Sequence, residues 1–99
     1  MLYVILGEDV EHSLAARQAV RASHVARLQE LQRNGRLVLA GPCPAIDNPE
    51  PGTAGFTGSV IVAEFPSLDD AQRWANQDPY IAGGVYRTVS VRPFKQVFP

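Results

Sequence analysis

Thiols are almost missing from this 99-residue chain: its one cysteine, Cys43, excludes an intramolecular disulfide and fits a reducing compartment. A charge of dominant sign is missing too. Nine Lys and Arg stand against ten Asp and Glu, a formal net charge of −1, mixed along the chain without a basic stripe. That argues against nucleic acid as a partner and against a polybasic membrane anchor. No apolar run approaches a membrane span. The apolar start, Met1 to Leu6, is short, with no basic segment before it and no cleavage-like site after it, so it does not read as a signal peptide. Repeats and low-complexity segments are absent. The expectation is a cytoplasmic, soluble protein forming one domain over residues 1–99, with 45% hydrophobic residues to build a core. A monomer this small leaves much apolar surface in water, so pairing with a second copy is expected.

The pattern of apolar residues gives the order of elements. Leu2 to Leu6 is a compact strand, ended by Gly7 and central in a sheet. From about Val10 to Asn34 the period is helical: Val20, His24, Leu28 and Leu31 share one face, while Arg27, Gln29, Glu30 and Arg33 take the other. Ser13 is the N-cap candidate, with Asp9 as rival, and Asn34-Gly35 is a helix stop. Leu37 to Ala40 is a second strand, bent or ended by Gly41-Pro42-Cys43-Pro44. A loop follows over Asp47 to Gly58, and Ser59 to Phe65 is a third strand that pairs with the second. Ser67 caps a second helix, with Asp69 and Asp70 in its first turn and Leu68, Ala71, Trp74 and Ala75 as its buried stripe. Pro79 ends that helix near Gln77 or Asp78. Val85 to Val91 is a fourth, alternating strand. The order β-α-β-β-α-β is the ferredoxin-like, split-βαβ pattern, an α+β fold with an antiparallel sheet and both helices on one face. Its other face needs cover, which a second sheet provides in a homodimer.

Chemistry concentrates at His24. Imidazole on an apolar stripe needs partners for its nitrogens or access to a cavity. One reading is a core histidine bonded to a backbone carbonyl. The other draws on Arg17 and Arg21, which lie near the same stripe, and on Asp78, which ends the helix lying beside the first. A carboxylate there takes the imidazole N–H and fixes its tautomer; the plain alternatives are Arg side chains that snorkel to water and an Asp in a turn before Pro79.

Three segments together carry a family resemblance: Arg21-Ala22-Ser23-His24 on the first helix, Gly41-Pro42 after the second strand, and Asp78-Pro79-Tyr80-Ile81-Ala82-Gly83-Gly84-Val85 before the fourth. With the closing Val91-Arg92-Pro93-Phe94, the chain resembles the YciI-like (YCII-related) proteins over nearly its whole length. The resemblance implies a dimeric α/β barrel of ferredoxin-like subunits and a His–Asp pair in a pocket, at His24 and Asp78. One member of that family looks like a dehydrochlorinase acting on a chlorinated hydroxyhydroquinone, and the fold is similar to muconolactone isomerase. The resemblance implies no particular substrate.

Around the pair, Tyr80 is a candidate wall of the pocket or a packing aromatic. Gly83 and Gly84 permit a tight return into the last strand. Arg87 and Arg92 have opposite parity on that strand. Arg87 shares the face of Val85, Val89 and Val91, so it is the one expected to meet a bound carboxylate or Asp78. Arg21 and Arg87 are the candidates for holding an anionic group. Cys43 reads as an incidental thiol and His12 as solvated. Two ligands are too few for a closed metal site, and no phosphate-binding loop is present, so no metal and no cofactor are expected. Three functions remain: a small acid–base enzyme of isomerase or lyase type, a ligand-binding or accessory protein using the same pocket, and a purely structural assembly domain in which His24 and Asp78 need not meet.

Overall fold

The N-terminal apolar run becomes the middle of the sheet. The structure, a computed structural model, describes residues 1–99. Its elements are β1 (Leu2–Asp9), α1 (Leu14–Arg33), β2 (Leu37–Pro44), a 3-10 turn at Gly52–Ala54, β3 (Phe56–Glu64), α2 (Leu68–Asn76), α3 (Pro79–Ala82) and β4 (Tyr86–Phe94). The strands form one sheet in the order β2-β3-β1-β4, every pair antiparallel. This is the expected ferredoxin-like α+β arrangement, with α3 added before β4.

Alternation decides which strand residues meet the helices. Tyr3 and Ile5 of β1 pair with Ala63 and Ile61 of β3, and these four form one core with Phe65 and with Leu31, Ala71 and Ala75 of the helices. The opposite face carries Val4, Leu6, Leu39, Val60 and Val62, with Leu6 39% and Leu39 51% exposed. On α1 the expected stripe holds: His24 and Leu31 are buried, and Val20 and Leu28 pack half-buried against the core. The helix closes at Asn34, where Gly35 takes φ 69° and the Arg36 N–H reaches back to the Leu31 carbonyl.

Several boundaries differ from the sequence expectation. Gly7 does not end β1, which runs two residues further; it sits under the Tyr86 ring, where an added Cβ would lie 2.6 Å from ring carbons. β2 continues through Gly41-Pro42-Cys43-Pro44, because it is an edge strand and neither proline is required to donate on its open side. β3 starts at Phe56, inside the segment expected to be loop, and β4 starts at Tyr86. Ser13 occupies the α1 N-cap position, but its hydroxyl donates to Asp9 Oδ2 at 2.6 Å and caps no N–H. Asp78 does not end α2. It opens α3 as a working N-cap, accepting from the Tyr80 N–H at 2.9 Å, with Pro79 at the first helical position.

Candidate active site

His24 and Asp78 are set by two different helix devices. His24 projects from the buried stripe of α1, and Asp78 is held by its capping role at the start of α3. The structure brings them together: His24 Nδ1 lies 2.9 Å from both Asp78 Oδ1 and Oδ2, with both side chains buried. A carboxylate oxygen accepts, so Nδ1 is the donor of this bond, and Nε2 makes no hydrogen bond within the protein. The His24 ring lies flat on Tyr80, with centroids 3.9 Å apart and planes at 9°, and Tyr80 in turn meets Tyr86 edge-on at 5.4 Å. The imidazole is thus fixed by a bond on one edge and by a ring on one face.

His24 and Tyr80 line a cleft of about 160 Å³ between α1 and the β2–β3 edge of the sheet, together with Arg17, Arg21, Ser59 and Pro42. Its charged and imidazole groups come from α1, Ser59 adds a hydroxyl from β3, and its apolar walls include Val25, Leu28 and Ile61. Arg21 is exposed and makes no ion pair, so its guanidinium is free at the mouth.

Arg17 does not snorkel to water. It is buried and makes a two-pronged pair with buried Asp9, Nε to Oδ2 at 2.6 Å and Nη2 to Oδ1 at 2.9 Å. Nη2 also donates to the Gly58 carbonyl and the Ser59 hydroxyl, both at 2.9 Å, and the guanidinium lies 5.1 Å from the Tyr80 centroid. Burial pulls the Arg17 pKa down, but the hydrogen bond and charge of Asp9 more than offset it and hold it above its ordinary value. Asp9 and Ser59 are the residues that sequence reasoning did not place at the site. The available signal was Arg17 itself, a charge seven residues before His24 on a buried stripe, which demands a buried counter-charge.

Arg87 is not in this cleft. Its side chain is exposed and pairs with Glu8 at 3.3 Å. A β-bulge is the reason: Glu8 pairs with Thr88 but Asp9 pairs with Tyr86, so Arg87 is the extra residue on β4. The bulge lets Tyr86 and Val89 both face the helices and turns Arg87 outward. Arg27 also departs from expectation. It leaves the solvated side of α1, donates to the Trp74 carbonyl at 2.7 Å and lies 4.2 Å from the Trp74 ring centroid, and burial pulls its pKa down despite the nearby charges of Asp78 and Glu30. No group of three or more His, Cys, Asp or Glu side chains stands close enough to hold a metal ion, and no helix is long and apolar enough to cross a membrane.

Comparison with known proteins agrees with this fold. The YCII-related domain matches residues 1–95. Protein YciI of Escherichia coli is 59% identical over 98 residues, covering 99% of this chain and 100% of its own. A protein of Haemophilus influenzae described as uncharacterized is 53% identical over the same length. Among solved structures, the 5-chloro-2-hydroxyhydroquinone dehydrochlorinase of Burkholderia phenoliruptrix, in complex with 2,5-dihydroxybenzoquinone, superposes with a TM-score of 0.83 at 26% identity, over 96% of this chain and 94% of that one. The structural neighbours are ferredoxin-like proteins of the dimeric α/β barrel type.

Proposed function

The chain belongs to the YCII-related family, and we propose that it is a cofactor-independent acid–base enzyme of isomerase or lyase type acting on a small enolisable or phenolic molecule. One observation carries this reading: a buried His24–Asp78 pair beside a cleft that His24 lines. Nε2 takes a proton from a carbon or hydroxyl next to a carbonyl, and the electron pair of the broken bond moves onto the substrate oxygen. The imidazolium so formed is stabilised by Asp78. Returning the proton to another atom completes an isomerisation; expelling a leaving group with its electron pair completes an elimination. Arg21 holds an anionic group of the substrate at the cleft mouth. The structural neighbour that acts on a chlorinated hydroxyhydroquinone supports a phenolic substrate class. The reaction needs only these side chains, and the reading is of a cytoplasmic protein.

The test is incubation of the native protein with a panel of chlorinated hydroxyhydroquinones, dienelactones and small keto acids, followed by chromatography. Product formation is expected for at least one member. Saturable binding without product across the panel would instead support a ligand-binding or accessory role for the same cleft.

We read the assembly as a homodimer formed through the uncovered sheet face. Leu6 and Leu39 lie half exposed on that face among Val4, Val60 and Val62, an apolar surface that a second copy buries. Sedimentation velocity is expected to give a dimer for the native chain and a monomer for Leu39→Lys, since a charge buried in an apolar interface is left without a partner. A native monomer, or a Leu39→Lys dimer of unchanged strength, rejects this face as the interface.

A further inference from the structure

Tyr80 has two features that a packing aromatic does not need. Its ring is buried, 2% exposed, stacked on His24 at 3.9 Å and braced edge-on by Tyr86. Yet it also borders a cleft. Of the two tyrosines here, only the Tyr86 hydroxyl is sealed in protein without a partner, whereas Tyr80 lines the cleft beside His24. The phenol and imidazole planes are parallel, and both residues line the same small volume. That volume, about 160 Å³, suits a single six-membered ring, since an apolar cavity of about 150 Å³ accepts benzene.

The surroundings set what such a hydroxyl does. Arg17, its charge paired with Asp9, lies 5.1 Å from the ring centroid, and Arg21, which makes no ion pair, lines the same cleft. Burial nevertheless outweighs both guanidinium charges and holds the Tyr80 phenol above its ordinary value of 10.0, so at neutral pH the group is a protonated donor. A neutral O–H donor near an unpaired guanidinium is matched to an oxygen that gains charge during reaction.

We propose that Tyr80 is the oxyanion donor of this site: its hydroxyl donates a hydrogen bond to the substrate oxygen on which negative charge appears when His24 takes a proton, and it thereby selects planar oxyanions such as phenolates and enolates. This rests on the acid–base reading of the cleft. Tyr80 transfers no proton. The proton goes from substrate to His24 Nε2, the electron pair stays on the substrate, and the Tyr80 bond strengthens as the oxygen charges.

The test uses 4-nitrophenol, whose neutral and ionised forms differ in absorbance and interconvert near neutral pH, with the His24 ring proton resonances as a reporter of where it binds. The comparison is native protein against Tyr80→Phe. That variant keeps the ring stacked on His24 and keeps the backbone N–H that Asp78 accepts. The native protein is expected to bind the phenolate in preference to the phenol, with movement of the His24 resonances. Tyr80→Phe is expected to lose about tenfold to a hundredfold in affinity for the phenolate, the range for a hydrogen bond to a charged group, while its affinity for the neutral form is unchanged. Equal phenolate affinity in the two proteins, with His24 resonances still moving, overturns the donor role and leaves the His24 cleft intact as a binding site. A native protein whose His24 resonances ignore the probe at saturating concentration overturns the donor role together with the reading beneath it.

Discussion

Asp9→Asn is expected to lower the free energy of unfolding by about 3–5 kcal/mol, the cost of leaving a buried charge without its partner. Asn keeps the shape and can still accept from Ser13, but it cannot neutralise Arg17, which is 6% exposed and bonded to Asp9 through two nitrogens. The remaining bonds of Arg17, to the Gly58 carbonyl and Ser59 hydroxyl, are to neutral acceptors. For a domain of this size the loss corresponds to a fall of roughly 15–30 °C in Tm. Thermal and urea unfolding followed by circular dichroism measure it. Replacing both members, Asp9→Leu with Arg17→Met, is expected to recover most of the loss, because two well-packed apolar groups need no counter-charge. A single-variant loss below about 1 kcal/mol would mean that water reaches the pair and that its burial is not what orders the site.

The effect matters for function because Arg17 is a wall of the cleft and lies against Tyr80. One ion pair therefore ties the end of β1 to the α1 face that carries His24. If the double replacement restores stability but disturbs the His24–Tyr80 stack, the charge pair serves geometry more than stability. That distinction is visible in the ring-current shifts of the two residues.

The sequence made the broad architecture legible because periodicity is a property of many residues at once. The stripe Val20, His24, Leu28, Leu31 survives any error of a residue or two at the helix ends, and so does the alternation of Tyr3 and Ile5 against Val4. What failed were features set by one residue. Gly7 looks like a strand terminator until the Tyr86 ring is seen to need the space above it. Arg87 shares parity with the valines on paper, but a single bulge resets the parity at that residue, and nothing local in Val85 to Val89 announces it. The short helix α3 has four residues, too few for any period to show. Its signature was nevertheless present, an Asp N-cap followed by Pro at the first position, and that same signature explains why Asp78 is rigid enough to serve a histidine 54 residues away. The Asp9–Arg17 pair escaped because each half has an ordinary surface reading and only the fold brings them to the same buried spot.

Asp78→Asn is expected to reduce turnover by roughly 10²–10⁴-fold while leaving the fold in place, and His24→Ala to remove it altogether. The asymmetry between these variants follows from hydrogen-bond polarity. Asn is as good an N-cap as Asp, so its carbonyl oxygen keeps the Tyr80 N–H and α3 still forms. The other side-chain atom then becomes an NH₂ group facing His24 Nδ1, where a carboxylate oxygen stood at 2.9 Å. The amide oxygen, also 2.9 Å from Nδ1, is already engaged by the Tyr80 N–H, so the new donor favours the tautomer in which Nδ1 accepts and the ring proton sits on Nε2. The base is not removed; it is turned over, with its proton pointing at the substrate. Nitrogen NMR of the imidazole separates this from mere loosening. The native ring is expected to show its unprotonated, pyridine-type nitrogen at Nε2, and the variant at Nδ1, with turnover lost in step. A variant that keeps both its tautomer and its turnover would show that Asp78 holds α3 and nothing more, whereas one that swaps tautomer yet turns over at the native rate would take His24 Nε2 out of the chemistry.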